Sequence, residues 1–413
     1  MVTCRVINGT TTVLNSNGGV FPKLSVNKML RSIQYVDLCQ RMVADDSMRS
    51  AADKIQRVLH YKCNYRTLDD WSEREGGAII DQIKKQSREV LIEYGFDPEQ
   101  GALVEGVSLE QELTKPDIVI ISRENVAETI RKYNENRSDD DKISDRWVDH
   151  TYVSDRESVN ISIDDVGVTE QKSTGRMKNS PAKEHKKRVE NTVVHIQQGF
   201  GVYILTGLGM LSVVITALAF SLKNSLLKNR MLTFFVDGAV NIKNSVSSVF
   251  GWRPYEVILD WHHLYKKCKE RLSLIMKGSK LRNEMLKQLS NYLWRGELDA
   301  AINSLRNIPE DNIKYGGLDN IDKLIEYFEK NRANIPCYAL RKALGLRVSS
   351  NRVEKSNDLV VAVRQKNKGM SWSRSGSTAL ANICAVRLNG ESDAWNYTHQ
   401  LRFSPFYHEL NAA

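Results

Sequence analysis

Acidic residues stand at a few positions of this chain where they could do chemistry rather than merely solvate a surface. Asp237 ends the apolar run Leu232 to Val236 and is followed by Gly238. Asp260 ends a second apolar run, Tyr255 to Leu259, and is followed by Trp-His-His. Asp164 and Asp165 lie side by side within the alternating run Val159 to Val168, and Glu354 lies in a helix-like stretch much later. Carboxylates at strand ends are suited to holding a divalent cation through oxygen ligands, and ligand sites on open α/β sheets lie at the carboxyl ends of the strands. Two strand aspartates with one helical glutamate can hold two cations about 3.5–4 Å apart. One then activates a water or a 3′-hydroxyl for attack and the other stabilises the leaving oxygen. Taken singly, Asp237 is equally well explained as a helix cap and Glu354 better explained as a surface group, whereas Asp260, followed by Trp-His-His, is harder to dismiss as a cap. Their order along the chain carries the argument.

The elements that must place these acids can be read from hydrophobic patterning. The two apolar runs have strand length and no alternation, as expected for strands buried on both faces of a mixed sheet. Apolar residues at 159, 161 and 163, then at 166 and 168, mark a further strand. Neighbouring residues of a strand face opposite ways, so only one of Asp164 and Asp165 can reach a shared site. Asp164 is the favoured one and Asp165 stays open. Val193 to Gln197 and Val202 to Leu205 read as two more strands. Gly199 to Leu222 runs 24 residues without a charge, but Thr206-Gly-Leu-Gly209 interrupts it and leaves 13 residues, Met210 to Leu222, for a helix. At about 1.5 Å per residue that is short of the roughly 30 Å apolar core of a bilayer. A strand, a turn and a buried helix are expected, and no membrane span. Helical spacing follows Asp260 to about Lys330, with breaks at Ile308-Pro309 and Gly316-Gly317. A helix capped by Ser349 or Ser350 should then carry Glu354 and stop near Gly369.

Charge and its distribution bear on partners. The net charge of +9 and the pI near 9.1 favour a polyanion, weakly. From Phe96 to Ser158 sixteen acidic residues face eight basic ones, whereas from Tyr338 to Gly390 ten basic residues face two acidic ones. Gln171 to Glu190 is a further basic segment, a flexible or DNA-contacting loop. The helix of Glu354 leads into Arg364, Lys366, Lys368, Trp372 and Arg374, where cations could meet backbone phosphates. Trp372 could stack on an unpaired base or pack inside the last helices. Nearer the start, a helix is expected near 26–42, an amphipathic one over 47–60, and another beginning at Thr67, followed by a helical stretch from Gly76 to Tyr94. Residues 47–75 fit a helix-turn-helix with Tyr65, Arg66 and Arg74 facing DNA; an ordinary helical pair fits equally well. The six cysteines are scattered without a CxxC pair, so neither a zinc site nor a disulfide framework is indicated. The opening residues have no basic and apolar leader, and a cytoplasmic, nucleoid-associated protein is expected.

Taken together, three strands, a helix, a strand ending in Asp237 and a late helix with Glu354 give the order of a ribonuclease H-like core. SIDDVGV, FFVDGAVNIK, ILDWHHLYKK and NRVEKSNDLVVAVRQKNKGMSWS resemble, in that order, the core motifs of DDE transposases of bacterial insertion sequences. The similarity is to the group related to Mutator-like elements, with a C/DxxH motif after the second aspartate, and spans roughly residues 155–400. It implies Asp164, Asp237 and Glu354 as a metal-binding triad and Asp260 with His263 as the DxxH pair. The family's Asp-Gly is Asp-Asp here, so Asp165 competes with Asp164, and His262 competes with His263. The resemblance implies Mg²⁺ or Mn²⁺ as cofactor, terminal inverted repeats and target DNA as partners, and a homodimer or higher oligomer on DNA. The expected layout is a helical DNA-binding domain over 1–95, an acidic linker over 96–155, a catalytic core over 156–264 and 335–400 around a helical insertion at 265–334, and a tail over 401–413. The expected activity is DNA strand cleavage and transfer. A nuclease that cuts without joining, or a domesticated DNA-binding protein, is the alternative.

Overall fold

The computed structural model describes residues 33–60, 63–171, 187–366 and 370–407, together with the backbone of four short strands nearer the start. Those strands pair antiparallel two by two, β1 (Thr3–Ile7) with β2 (Thr10–Leu14) and β3 (Leu24–Val26) with β4 (Met29–Arg31). Helices α1 (Ile33–Asp45), α2 (Met48–Leu59) and α3 (Tyr65–Glu93) follow. The first helix thus starts later than the spacing predicted. The two helices expected over 67–94 are one helix of 29 residues, capped by Asn64 rather than Thr67. Its interior Gly76 is explained by packing, since a Cβ there would sit 2.3 Å from the carbonyl oxygen of Ala379. The acidic stretch holds a short α4 (Gln111–Thr114) and α5 (Arg123–Asn134).

The centre of the molecule is a six-stranded mixed sheet. Its strands are β5 (Ser158–Thr169), β6 (Arg188–Gln198), β7 (Gly201–Gly207), β8 (Met231–Val236), β9 (Glu256–Leu259) and β10 (Phe406–Tyr407). They lie in the order β10-β7-β6-β5-β8-β9. β5, β6 and β7 form an antiparallel meander, while β8 and β9 add parallel to β5 on its other side. This is the mixed α/β architecture expected, compatible with a ribonuclease H-like core. Helices α6 (Met210–Lys223) and α7 (Val240–Phe250) connect β7 to β8 and β8 to β9. The uncharged segment is therefore strand, turn and buried helix, and no helix among the described residues is long and apolar enough to cross a membrane.

After β9 come α8 (Trp261–Ile275), α9 (Ser279–Trp294), α10 (Leu298–Arg306) and α11 (Gly317–Lys330), which share an apolar core with Phe235 and Ile258 of the sheet. The chain returns through α12 (Tyr338–Ala343) to α13 (Asn351–Asn357). The helix then widens into a π-helical segment, Asp358–Ala362, and closes with the turn α14 (Val363–Gln365). Finally α15 (Arg374–Leu388) and α16 (Ser392–Thr398) pack with α1, α2 and α3 around Trp71, Ile79, Leu380 and Trp395. Two bonds reinforce that layer: Trp395 Nε1 donates to the Glu75 carboxylate at 2.6 Å, and Arg364 Nε donates to the Val43 carbonyl at 2.7 Å.

β5 sets the geometry of everything that follows. Val159, Ile161 and Ile163 face α6 and α7 in the largest core, whereas Val166 and Val168 face the opposite side, with Val353 and Val360. The apolar positions change parity between 163 and 166: up to Ile163 both faces are buried, with Asn160 and Ser162 opposite the apolar side, and beyond Asp165 the buried residues lie on the other face. Asp164 and Asp165 occupy the changeover.

Candidate metal centre

The strand register brings three aspartates to one edge. Ser162 pairs with Phe235, so two residues on Asp164 is level with Asp237. Val236 pairs with Leu259, so one residue on Asp237 is level with Asp260, and the Asp260 N–H donates to the Val236 carbonyl at 2.8 Å. Three neighbouring parallel strands thus each deliver one aspartate at one level, Asp237 and Asp260 directly after β8 and β9 and Asp164 from the middle of the longer β5, beside the carboxyl edge where such sheets bind ligands. Gly238 makes the turn after Asp237 possible: its φ is +90°, and a Cβ would meet Leu259 Cδ1 at 2.9 Å. Asp237 Oδ1 accepts the Ala239 N–H at 2.7 Å, which fixes the carboxylate across that turn.

Asp164 and Asp165 face opposite ways. Asp164 turns to α13, where its Oδ2 accepts from Asn357 Nδ2 at 2.7 Å, and its Oδ1 accepts the Asp165 N–H at 2.9 Å. Asp165 accepts from the Thr192 hydroxyl at 2.6 Å and bonds to Asn241 of α7. Burial pushes the Asp164 carboxyl up to about 6, opposed by the charge of His263 and reinforced by those of Asp237 and Asp165. Asp165 is also raised, again chiefly by burial.

Asp260 is fully buried and caps α8. Its Oδ1 accepts the His263 backbone N–H at 2.7 Å and lies 3.1 Å from His263 Nδ1. Its Oδ2 accepts the backbone N–H of Ser350, the residue at the N-cap position of α13. The expected Ser350 cap is therefore made differently: its hydroxyl makes no cap bond, and its N–H reaches back to the strand edge. Burial opposes the charge on Asp260, and these hydrogen bonds together outweigh it, so its carboxyl stays below the ordinary range. His263 is held above its ordinary value, first by the bond to Asp260 and then by the charges of Asp260, Asp164 and Asp237. His262 is exposed beside it.

Glu354, half-exposed on α13, lies 3.9 Å from His263 Nδ1 through its Oε1. Among the described residues, the ligating atoms of Asp260, His263 and Glu354 fall within 4.8 Å of one another. That trio is a poor cation cage as it stands. Both Asp260 oxygens already accept backbone N–H bonds, and His263 Nδ1 points its proton at Asp260. Asp164, Asp237 and Glu354 retain oxygen lone pairs, and an all-oxygen set matches Mg²⁺ or Mn²⁺. The charges of Asp164 and Asp237 both act on His263, which lies 3.9 Å from Glu354, but the oxygens of Asp164, Asp237 and Glu354 do not close to within 4.8 Å of one another; burial is the main cause of the raised Asp164 carboxyl. The donor set fits a divalent cation.

The residues expected to meet DNA fall into two groups. Arg66 and Arg74 are exposed on α3, and Tyr65 bonds to Arg66, 3.3 Å from its Nε, with the Arg49 guanidinium 5.1 Å from the ring centre. The Arg66 and Arg49 cations draw the Tyr65 hydroxyl below its usual value. Lys366 and Arg374 are exposed at the other end, Arg374 bonded to Glu170 at 3.1 Å. Lys368 and most of the basic loop, 172–186, lie outside the described residues. Trp372 is integrated into the fold. Its ring packs in two cores beneath Arg364, its Nε1 donates to the Gln365 carbonyl at 3.1 Å, and its backbone bonds to Thr169 and Gln171. Sequence reasoning missed Asn357 and Thr192, and it offered Ser350 only as a side-chain cap. Only Asn357 left a signal, because residues three apart on a helix share a face and it lies three beyond Glu354.

No family model and no curated protein matches this chain. Among solved structures it is similar to the Drosophila P element transposase strand transfer complex, at 11% identity over 91% of this chain and 89% of that one, with a TM-score of 0.21. A likeness that slight carries no argument about fold or activity.

Proposed function

We propose that this chain is a DNA transposase of the DDE type, which cleaves DNA at the ends of a mobile element and transfers the strand to a target. The observation that carries this is the placing of Asp164 and Asp237 level on adjacent parallel strands, with His263 under the charge of both and 3.9 Å from Glu354 of α13. These three residues would hold Mg²⁺ or Mn²⁺, which when bound supplies an activated water or 3′-hydroxyl and charge stabilisation at the leaving oxygen. The chain's own groups do the rest. Asp260 receives the Nδ1 proton of His263 and so leaves the Nε2 edge to contact substrate, while the raised pKa of the ring favours a cation that offsets the carboxylates. Arg49, Arg66 and Arg74 supply charge for duplex recognition by α2 and α3 in the manner of a helix-turn-helix, and Lys366 and Arg374 neutralise phosphates beside the site. Paired ends require a homodimer or higher oligomer on DNA.

The test is a cleavage and joining assay on DNA carrying the element's terminal repeats. Wild-type protein with Mg²⁺ should nick and join. Asp237→Asn and Glu354→Gln should each lose at least about 100-fold in cleavage, beyond the cost of removing an outer-shell partner, while still binding DNA. Wild-type cleavage by either variant would overturn the assignment, and cleavage without joining would make the protein a nuclease.

A further inference from the structure

Asn357 is the side chain at this site that a cation triad alone does not account for. It is the last residue of α13, 6% exposed, and it donates Nδ2 to Asp164 Oδ2 at 2.7 Å. The Asp165 N–H holds the other oxygen at 2.9 Å. With one donor on each oxygen the carboxylate cannot rotate freely, yet both oxygens keep a lone pair for a further ligand. The amide's own Oδ1 is buried without a hydrogen-bond partner among the described residues, and such orphaned groups call for an explanation. Turning the amide round would not relieve it, because its oxygen would then face an anionic oxygen 2.7 Å away. Directly after Asn357 the helix widens into its π-helical segment, a distortion found frequently at functional sites.

We propose that Asn357 is a positioning residue for Asp164: its amide N–H holds the carboxylate in the orientation that serves a cation shared with Asp237 and Glu354. This rests on the cation reading of the site. The residue type follows from the geometry. A leucine of similar size has no donor, an aspartate would repel the carboxylate, and a glutamine is one methylene too long for the 2.7 Å contact.

Mn²⁺ binding to the full-length protein without DNA, followed by electron paramagnetic resonance, tests it. N357L should weaken Mn²⁺ affinity by about 10- to 100-fold, the usual cost of losing an outer-shell partner. N357S, which keeps a shorter donor, should fall between it and the wild type, and it carries the comparison should N357L fail to fold. Against a D164N background, N357L should cost nothing further, because the residue acts through Asp164. A purely structural role would lower the melting temperature of N357L yet leave the affinity of the folded protein unchanged. Wild-type affinity in both Asn357 variants, or an equal loss in the D164N background, would overturn the proposal. Absence of Mn²⁺ binding to the wild type would instead overturn the cation reading itself, and the positioning role with it.

Discussion

At the scale of single residues, burial works against the charge on Asp164, and His263 and the Asp165 N–H offset only part of it. The Asp164 carboxyl is raised from 3.8 to about 6, first by burial and then by neighbouring acids. Between those pH values the folded protein binds a proton that the unfolded chain has released, so stability contributed by this residue falls as pH rises through the window. Above about pH 6 the buried charge destabilises the cation-free fold in full. D164N should therefore melt at a higher temperature than the wild type at pH 8 without divalent cation, and the advantage should shrink as pH falls towards 4. Added Mg²⁺ should stabilise the wild type and leave D164N unmoved. Melting curves of both proteins check this; a D164N variant less stable at pH 8 would contradict it. A stabilising change that abolishes activity is a common signature of a functional site. In the sequence, strand alternation separated Asp164 from Asp165 but could not say which face was which. The pattern changes parity at that point, and the partners that decide, Asn357 and Thr192, are distant along the chain.

At the scale of elements, Asp260 is the joint between β9, α8 and α13. Its two oxygens accept N–H groups from the first turn of α8 and from the N-cap residue of α13, so the helix bearing Glu354 is tied to the strand edge bearing the aspartates. D260A would orphan both backbone donors in a fully buried place. At about 1–3 kcal/mol for each unsatisfied group, the loss should be about 3 kcal/mol, read from denaturant unfolding. His263, partly exposed, gives up one bond to Asp260 on truncation, so H263A should cost less than D260A. Equal stability of D260A and wild type would remove Asp260 from this role. The apolar runs before Asp237 and Asp260 were legible because strands covered on both faces are written as continuous apolar sequence. The tie to Ser350 was not, since a backbone N–H has no residue type to read.

At the scale of the whole molecule, strands β5 to β9 and the run of helices after β9 are visible in the chain as apolar runs and helical spacing, whereas the pairing of β10, from the expected tail, with β7 is not. The packing of α3 against α15 is not visible there. Gly76 and Ala379 lie three hundred residues apart, and only their contact explains a glycine inside a long helix. Through that layer α3, with its exposed arginines, packs against α15, whose first residue is Arg374. The proposed function stands or falls with a cation held jointly by Asp164 and Asp237 of the sheet and Glu354 of α13. It is tested most directly by substituting Fe²⁺ for Mg²⁺ and adding ascorbate and peroxide, so that hydroxyl radicals cut the polypeptide beside the bound ion. Backbone cuts are expected adjacent to residues 164, 237 and 354, suppressed by excess Mg²⁺ and lost in Glu354→Gln. Cuts confined to other segments, or none that Mg²⁺ suppresses, would contradict it.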